Sequence, residues 1–509
     1  MAKSWSTTHH VVVSCFVLVL LNGCTAQLTR RTRHEFQQGN ECQIDRLTAL
    51  EPTNRIQAEA GLTEVWDSQE QEFRCAGVSV IKRTIEPNGL LLPTFTSGPE
   101  LAYIEQGRGI SGMLIPGCPE SYESGSQQFE QGRQMRDGQF QDQHQKIRHL
   151  REGDVHAFPS GVAHWVYNNG DEPLVLVVFI DNANHANQLD NNFPKRFYLA
   201  GKPQQEHTEQ SRFSRQSRRG EEESGNLFTG FDTRTLAESF GVSEEIAQKL
   251  QGQQDERGNI VRVQEGLHVI KPPSRAWEER EGREQSRPWE KREQSRPWEK
   301  REQSRPWEKR EQRRARDLSS NGVEETICSA RLVKNIDDPS KADIYTPGAG
   351  RLTNLNSFNL PILSHLRLSA AKGVLYRNAI MAPHYNLNAH SIMYCVRGSG
   401  RIQIVNDQGQ SVFDDELTKG QLVVVPQNFA IIKQAFEEGF EWVSFKTSEN
   451  SMFQSLAGRT SAIRSLPVDV VSNMYQISRE QAFGLKFNRP ETTLFRASGE
   501  GGFSRRVIA

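Results

Sequence analysis

Gly153-Asp-Val-His-Ala-Phe-Pro159-Ser-Gly161-Val-Ala-His164-Trp-Val-Tyr-Asn168 is the stretch that decides the fold. Short apolar runs rich in valine and aromatics, broken by a Pro-Ser-Gly turn, are written as strand, turn and strand. A relative of this stretch recurs later as Gly420-Gln-Leu-Val-Val-Val-Pro426. Upstream of the two lie Gly107-Arg-Gly109 and Gly398-Ser-Gly400; downstream lie Ser243-Glu-Glu245-Ile-Ala247 and Ser478-Arg-Glu480-Gln-Ala482. The order is the same in both halves. Offsets between the copies are 291, 267 and 235, falling because the first half carries longer insertions, Gln127 to Lys146 and Asp181 to Glu223. A duplicated domain accounts for this.

Each copy contains short strand-like segments: Val78–Ile85, Leu101–Gln106, Gly112–Ile115 and Leu174–Ile180, then Val374–Met381, Ser391–Val396, Arg401–Val405, Leu422–Val425 and Trp442–Phe445. The pattern predicts an all-β barrel or sandwich in each half. A small helical arm follows each, with Ser243 and Ser478 as N-caps ahead of apolar residues at helical spacing. Those apolar faces need a partner.

The chain of 509 residues has 62 Lys and Arg against 63 Asp and Glu, so no global field points to nucleic acid or to an anionic membrane. Only 17 of the cations are lysine and 45 are arginine, which with abundant Gln and Asn makes the chain rich in nitrogen. Lys3 precedes an apolar run, Val11 to Leu21, that ends in Asn22-Gly23-Cys24-Thr25-Ala26. Eleven residues are too few to span a bilayer, and the pattern reads as a cleaved signal peptide with the mature chain starting at Gln27. Secretory entry allows disulfides among Cys42, Cys75, Cys118, Cys328 and Cys395, an odd set that leaves at least one unpaired. Cys395, inside the apolar run Ser391 to Val396, reads as a buried small hydrophobe. No Asn-x-Ser/Thr sequon occurs, so N-glycosylation is not expected.

Between the copies, Arg283-Glu-Gln-Ser-Arg-Pro-Trp-Glu-Lys291 repeats at 292–300 and 301–309. The repeat has only tryptophan to bury, so disorder is expected. Arginine with tryptophan also suits single-stranded nucleic acid, but the glutamates offset the charge and the secretory route disfavours it.

Glycine–proline signatures of this kind look like those of cupins, which are double-stranded β-barrels of jelly-roll type. Gly153, Pro159, Gly161, His164 and Asn168 match the second cupin signature at every position. The resemblance implies a metal held by this His together with two His and a Glu of the first signature. The equivalents of those three are Thr94, Thr96 and Glu100 in the first copy and His384, Asn386 and Ser391 in the second. The second copy's later signature has Asn428, Ile431 and Ala435 where Gly, His and Asn belong. One copy keeps Glu100 and His164 and the other only His384, against four ligands, so neither holds a catalytic metal firmly. No metal, cofactor or catalytic residue is expected, and His164 and His384 read as hydrogen-bonded barrel histidines.

Longer motifs narrow the resemblance. Asn321-Gly322-Val-Glu-Glu-Thr-Ile-Cys328, Asp343-Ile-Tyr-Thr-Pro-Gly-Ala-Gly-Arg-Leu352, Asn473-Met-Tyr-Gln-Ile-Ser-Arg-Glu480 and Asn488-Arg-Pro-Glu-Thr-Thr-Leu-Phe495 resemble legumin-type seed storage globulins, nearest the buckwheat type. The resemblance covers essentially the whole mature chain. It implies a signal peptide over 1–26, a first barrel and arm over 27–251, a disordered charged linker over 252–321, and a second barrel and arm over 322–509. It further implies cleavage between Asn321 and Gly322 by an asparaginyl endopeptidase, into an acidic chain of net charge −5 and a basic chain of +3. Asn-Gly is also a plain turn signal. Family disulfides would join Cys42 to Cys75 and Cys118 to Cys328, one of three pairings that four cysteines allow; without the second bridge, the cut chains would be held only by packing. The implied protein is a nutrient reservoir of the storage vacuole, not an enzyme, assembling as homotrimers and then hexamers without nucleic acid or membrane, in a family whose members are often allergens. Two rival readings are a bicupin metalloenzyme, such as an oxalate-degrading one, and a sugar-binding vicilin-like protein.

Overall fold

The computed structural model describes residues 42–120, 122–123, 143–189, 195–201, 225–252, 255–267, 269 and 327–496. The expected signal peptide, the nonapeptide repeats, Asn321 and Gly322 lie outside them. Residues 1–45 and 46–509 are separate units, and both barrels belong to the second. Among the described residues no helix is long and apolar enough to cross a membrane.

The first copy folds into β1 (Asn54–Ala58), β2 (Gly61–Val65), β3 (Val78–Ile85), β4 (Gly89–Thr96), β5 (Glu100–Gln106), β6 (Arg108–Leu114), β7 (Tyr122–Glu123), β8 (Gln143–His144), β9 (Ile147–Arg151), β10 (Asp154–Phe158), β11 (Ala163–Tyr167), β12 (Leu174–Asp181), β13 (Arg196–Tyr198) and β14 (Ile260–Arg262). One antiparallel sheet runs β1-β2-β3-β12-β5-β10 and another β13-β4-β11-β6-β9, with β14 also on β4; β7 and β8 pair only with each other. β12, Leu-Val-Leu-Val-Val-Phe-Ile-Asp, is buried at every position because it lies between β3 and β5 with both faces covered. Residues of both sheets share one apolar core.

A further strand on the first sheet, β15 (Val333–Asn335), comes from beyond the linker and pairs with β10. The second copy then forms β16 (Ile344–Thr346), β17 (Gly350–Leu355), β18 (Ser369–Leu375), β19 (Ile380–Asn386), β20 (Ser391–Val405), β21 (Ser411–Thr418), β22 (Leu422–Val425), β23 (Ala430–Lys446), β24 (Phe453–Ser455) and β25 (Leu494–Phe495) in one ten-stranded sheet. Helices are α1 (Gln71–Ala76), α2 (Thr233–Phe240), α3 (Glu244–Leu250), α4 (Ile362–Leu366), α5 (Ala462–Ser465), α6 (Val468–Tyr475) and α7 (Arg479–Phe487). Ser243 accepts from the Ile246 backbone N–H, and Ser478 forms a capping box with Gln481, so each serine starts its arm helix as expected. Phe231, Phe240 and Ile246 on the first arm, and Met474, Phe483 and Leu485 on the second, are exposed.

The paired glycine motifs have a steric origin. Gly107 has φ +85° and Gly398 φ +68°, and a Cβ on them would stand 2.6 Å from the Pro173 carbonyl oxygen and 2.1 Å from that of Gly439. Asn428 replaces Gly161 and keeps the left-handed backbone, φ 67° against 74°, a conformation that asparagine tolerates.

Four expectations need correcting. The segment Val374–Met381 is not one strand: β18 ends at Leu375 and β19 starts at Ile380, around Asn378 at φ 57°. Ser391–Val396 and Arg401–Val405 are one strand, β20, which passes through its glycines with shifts of register against β23. The linker assigned to 252–321 is structured at β14, where Ile260 and Val261 are buried against β4; so short an apolar pair among polar flanks gives no periodic signal. The polar insertion beginning at Asp181 includes β13, which pairs with β4.

The boundary at 322 hides an exchange of segments. Leu332 and Ile336, each 1% exposed, flank β15 on the first barrel, where Ala157 N–H donates to the Leu332 carbonyl and Ile336 N–H to that of Gly153, both at 2.9 Å. In return, residues 47–50 lie on the second barrel: Leu47 N–H donates to Val412 and Leu50 N–H to Leu422, both at 2.8 Å. Each half therefore contributes a segment to the other half's barrel. Packing is not the only tie between them.

Candidate functional site

Strand registers show which residues of the two barrels are equivalent. Glu100 starts β5 opposite Phe158 and Ile180. Ser391 starts β20 opposite Val425 and Lys446. The same matching sets His164 beside Thr94, and Ile431 beside His384. The cupin ligand positions thus converge inside each barrel, as the sequence requires, but their chemistry differs from that of a metal site.

In the first barrel Glu100 is 1% exposed and His164 3%, with Nε2 of His164 3.9 Å from Glu100 Oε2, too far for a hydrogen bond. Arg196 lies 3.2 Å from Glu100 Oε1, with both side chains almost fully buried, and Thr96 Oγ1 donates to the same oxygen at 2.6 Å. Burial raises the Glu100 pKa, but Arg196, His164, Thr96 and Arg83 together outweigh it and hold the carboxyl below its usual range. Burial pushes His164 down to about 4, against the pull of Glu100. Its ring stacks on Phe158 with centroids 3.9 Å apart. Thr94, at the other ligand position, donates to the Phe197 carbonyl at 2.9 Å. A guanidinium therefore stands against the one carboxylate a metal would need. The donor set does not fit a cation.

In the second barrel Nδ1 of His384 lies 2.7 Å from the Ala382 carbonyl, which can only accept, so Nδ1 carries the proton and Nε2 accepts from Lys433 Nζ at 3.2 Å. Burial first, then Lys433, holds His384 well below its usual pKa and keeps it neutral. Lys446 Nζ donates to Asn386 Oδ1 at 2.9 Å and Ser391 Oγ at 3.3 Å. Burial pushes Lys446 down to about 8 and, with Lys446 nearby, drives Lys433 well below the ordinary lysine value. These groups line a small cavity with Met381, Ile431, Trp442 and Phe453. Lys433 Nζ occupies the histidine's free nitrogen, which is therefore not open to a metal. Among the described residues no group of three or more His, Cys, Asp or Glu is placed to hold one.

Sequence reasoning missed Arg196, Lys433 and Lys446. Lys433 was within reach, since Ile431, Lys433 and Ala435 alternate on the inward face of β23, all buried. Arg196 gave no such signal, being in a three-residue strand inside a polar stretch.

Cys118 and Cys328 form a disulfide with Cα atoms 5.4 Å apart, and Cys42 and Cys75 are each disulfide-bonded. Cys395 is a buried free thiol, pushed up to about 12 chiefly by burial.

Comparison with known proteins gives the family. The Cupin family matches residues 47–205 and 334–482. "11S globulin seed storage protein 1" of Carya illinoinensis is 53% identical over 97% of each chain. Among solved structures, the coconut allergen cocosin superposes with a TM-score of 0.72 at 42% identity, over 89% of this chain and 100% of the other. Procruciferin, an 11S globulin from Brassica napus, does so with 0.72 at 40% identity, over 91% and 100%. These relatives fix the legumin family but not the buckwheat type within it. With two cupin barrels, neither keeping a full set of metal-ligand positions, and such likeness along its whole length, the chain belongs to the legumin-type 11S globulins, the seed storage proteins.

Proposed function

We propose that this chain is a nitrogen, carbon and sulfur reserve whose working parts are packing and controlled proteolysis, and that it catalyses nothing. The observation that carries this reading is the replacement of metal chemistry in both barrels by the chain's own cations, Arg196 in one and Lys433 with Lys446 in the other. It weighs against the bicupin metalloenzyme, and metal analysis of the purified protein tests that rival. The sugar-binding alternative is tested by calorimetry with sugars.

The reading divides the chain into a signal peptide over 1–26, a first barrel with its arm over 27–251, a linker over 252–321 and a second barrel with its arm over 322–509. The signal peptide sends it through the secretory route to a protein storage vacuole. There an asparaginyl endopeptidase cuts between Asn321 and Gly322, and the acidic and basic chains stay linked through Cys118 and Cys328, with Cys42 joined to Cys75 inside the acidic chain. The exposed Phe240 and Ile246 of one arm, and Phe483 and Leu485 of the other, support an assembly in which each arm lies on a neighbouring copy to close a trimer. The cut then lets two trimers meet as a hexamer. Asn321→Gln should stall assembly at the trimer, and hexamers of uncut protein in sedimentation would refute this step. Reducing and non-reducing gels of protein from mature tissue test the cut and the interchain bridge together.

A further inference from the structure

The two barrels hold their buried cations differently. In the first, Arg196 faces Glu100, a carboxylate supplied by the chain. In the second, the strand registers put Ser391 where Glu100 stands, Lys446 where Ile180 stands and Lys433 where Val166 stands. Among the described residues neither ammonium has a carboxylate oxygen within 4.0 Å, and the residues lining the cavity beside them include no Asp or Glu. Their partners are neutral. Lys433 has His384 Nε2, the Met381 sulfur and the face of the Trp442 ring; Lys446 has Asn386 Oδ1 and Ser391 Oγ. An ammonium carries three N–H groups, so each lysine has one to spare, and Ser391, which accepts from Lys446, keeps its own O–H to donate. Ser444, also buried, adds a second hydroxyl to the lining. The cavity is thus rich in donors, and burial without a counter-ion disfavours the charge on both lysines.

We propose that this cavity is a binding site for a single halide ion, chloride, held by the ammonium groups of Lys433 and Lys446 and the Ser391 hydroxyl. Size selects the ligand. The cavity measures about 30 Å³, and a particle the size of water needs roughly 10–15 Å³ of such space. One chloride ion fits. A phosphate, or a carboxylate with even a short tail, does not. The bound ion takes the role that Glu100 plays in the first barrel and lets both lysines keep their charge. This site does not depend on the storage reading.

The test has a crystal arm and a solution arm, both on the intact purified protein. Crystals soaked in sodium bromide should show one anomalous peak per protomer, in this cavity and in contact with both ammonium nitrogens. In solution, replacing sodium gluconate, whose anion is too large to enter, by sodium chloride at constant ionic strength should raise the thermal midpoint along a saturating curve, by about 1 °C or more. Lys446→Met should remove the bromide peak and most of the chloride shift. Ser391→Glu sets a carboxylate beside Lys446, as Glu100 stands beside Arg196; it should raise the midpoint in gluconate and abolish the dependence on chloride. Water in the cavity after the bromide soak would overturn the proposal, as would a chloride shift that is absent, that does not saturate, or that is the same in a folded variant as in the wild type. A bromide peak with no shift in solution means binding at crystal concentration only, and overturns it too. If Lys446→Met does not fold, Ser391→Glu decides.

Discussion

Replacing Arg196 by methionine keeps most of the side-chain volume and removes the charge that faces Glu100. The pair is 3.2 Å apart, with side chains 4% and 2% exposed, so the carboxylate left behind has almost no access to water. Breaking a buried pair from one side costs about 3–5 kcal/mol, and the lower end applies here because Arg83 still contributes favourably to Glu100. The loss should depend on pH in a stated direction. Without Arg196, burial becomes the dominant influence on Glu100 and lifts its pKa above the ordinary 4.5. A folded-state pKa above the unfolded one penalises the fold at neutral pH, and the penalty fades as pH falls through the raised value and then the ordinary one. Adding Glu100→Gln removes the stranded charge, and its amide can still pair with Thr96; the double variant should return to within about 1 kcal/mol of the wild type. Urea unfolding followed by tryptophan fluorescence, at pH 7 and again near pH 4.5, measures all three proteins. A single variant that loses less than about 1 kcal/mol at pH 7, or a double variant no more stable than the single, would show that Arg196 does not compensate Glu100.

Two more outcomes follow from the same structure. In protein cut at Asn321, Cys328→Ser should let the chains separate on non-reducing denaturing gels yet leave them together in native size-exclusion chromatography, because β15 remains on β10 and residues 47–50 on the second barrel; release of the basic chain under native conditions would contradict the exchange. The wild type should lose stability as pH falls from about 6.5 towards 4: His164, pushed down to about 4, and His156 and His384, held well below the usual histidine value, stay neutral in the fold while the unfolded chain takes up protons, at about 1.4 kcal/mol per pH unit for each group. A urea midpoint that does not move between pH 7 and pH 5 would sink that expectation.

The duplication was legible because its markers are backbone requirements. Gly107 and Gly398 are needed wherever a strand must turn against a neighbouring carbonyl, so they survive as a pair 291 residues apart. The same offset of about 290 reappears in the contacts between the barrels. Lys82 Nζ lies 3.1 Å from the Tyr394 hydroxyl, and Lys372 Nζ 3.0 Å from that of Tyr103, so each copy presents a lysine to the other's tyrosine. The loss of metal ligands could also be read, because a cupin signature says where each ligand belongs. What replaced them could not be read in full. Lys433 advertises itself by its parity on β23, but Lys446 looks like the polar end of an apolar run and Arg196 like any arginine of an insertion. Burial of a charge is decided by which strands close over it. β13 and β15 are each three residues long, too short for periodicity to declare them.

The reciprocal segments would give a cut between the barrels a direction. While the chain is whole, each borrowed strand is tethered to its destination, so recovery from unfolding is a unimolecular search. A cut between the barrels would leave the native contacts and the Cys118–Cys328 bridge in place, but with that bridge reduced and the pieces pulled apart they would have to find one another from solution, at a rate set by their concentration. Severing that peptide bond and then reducing the bridge would turn a fold that can be regained into one that is merely kept, which suits a material meant to stand for a season and then be taken apart once.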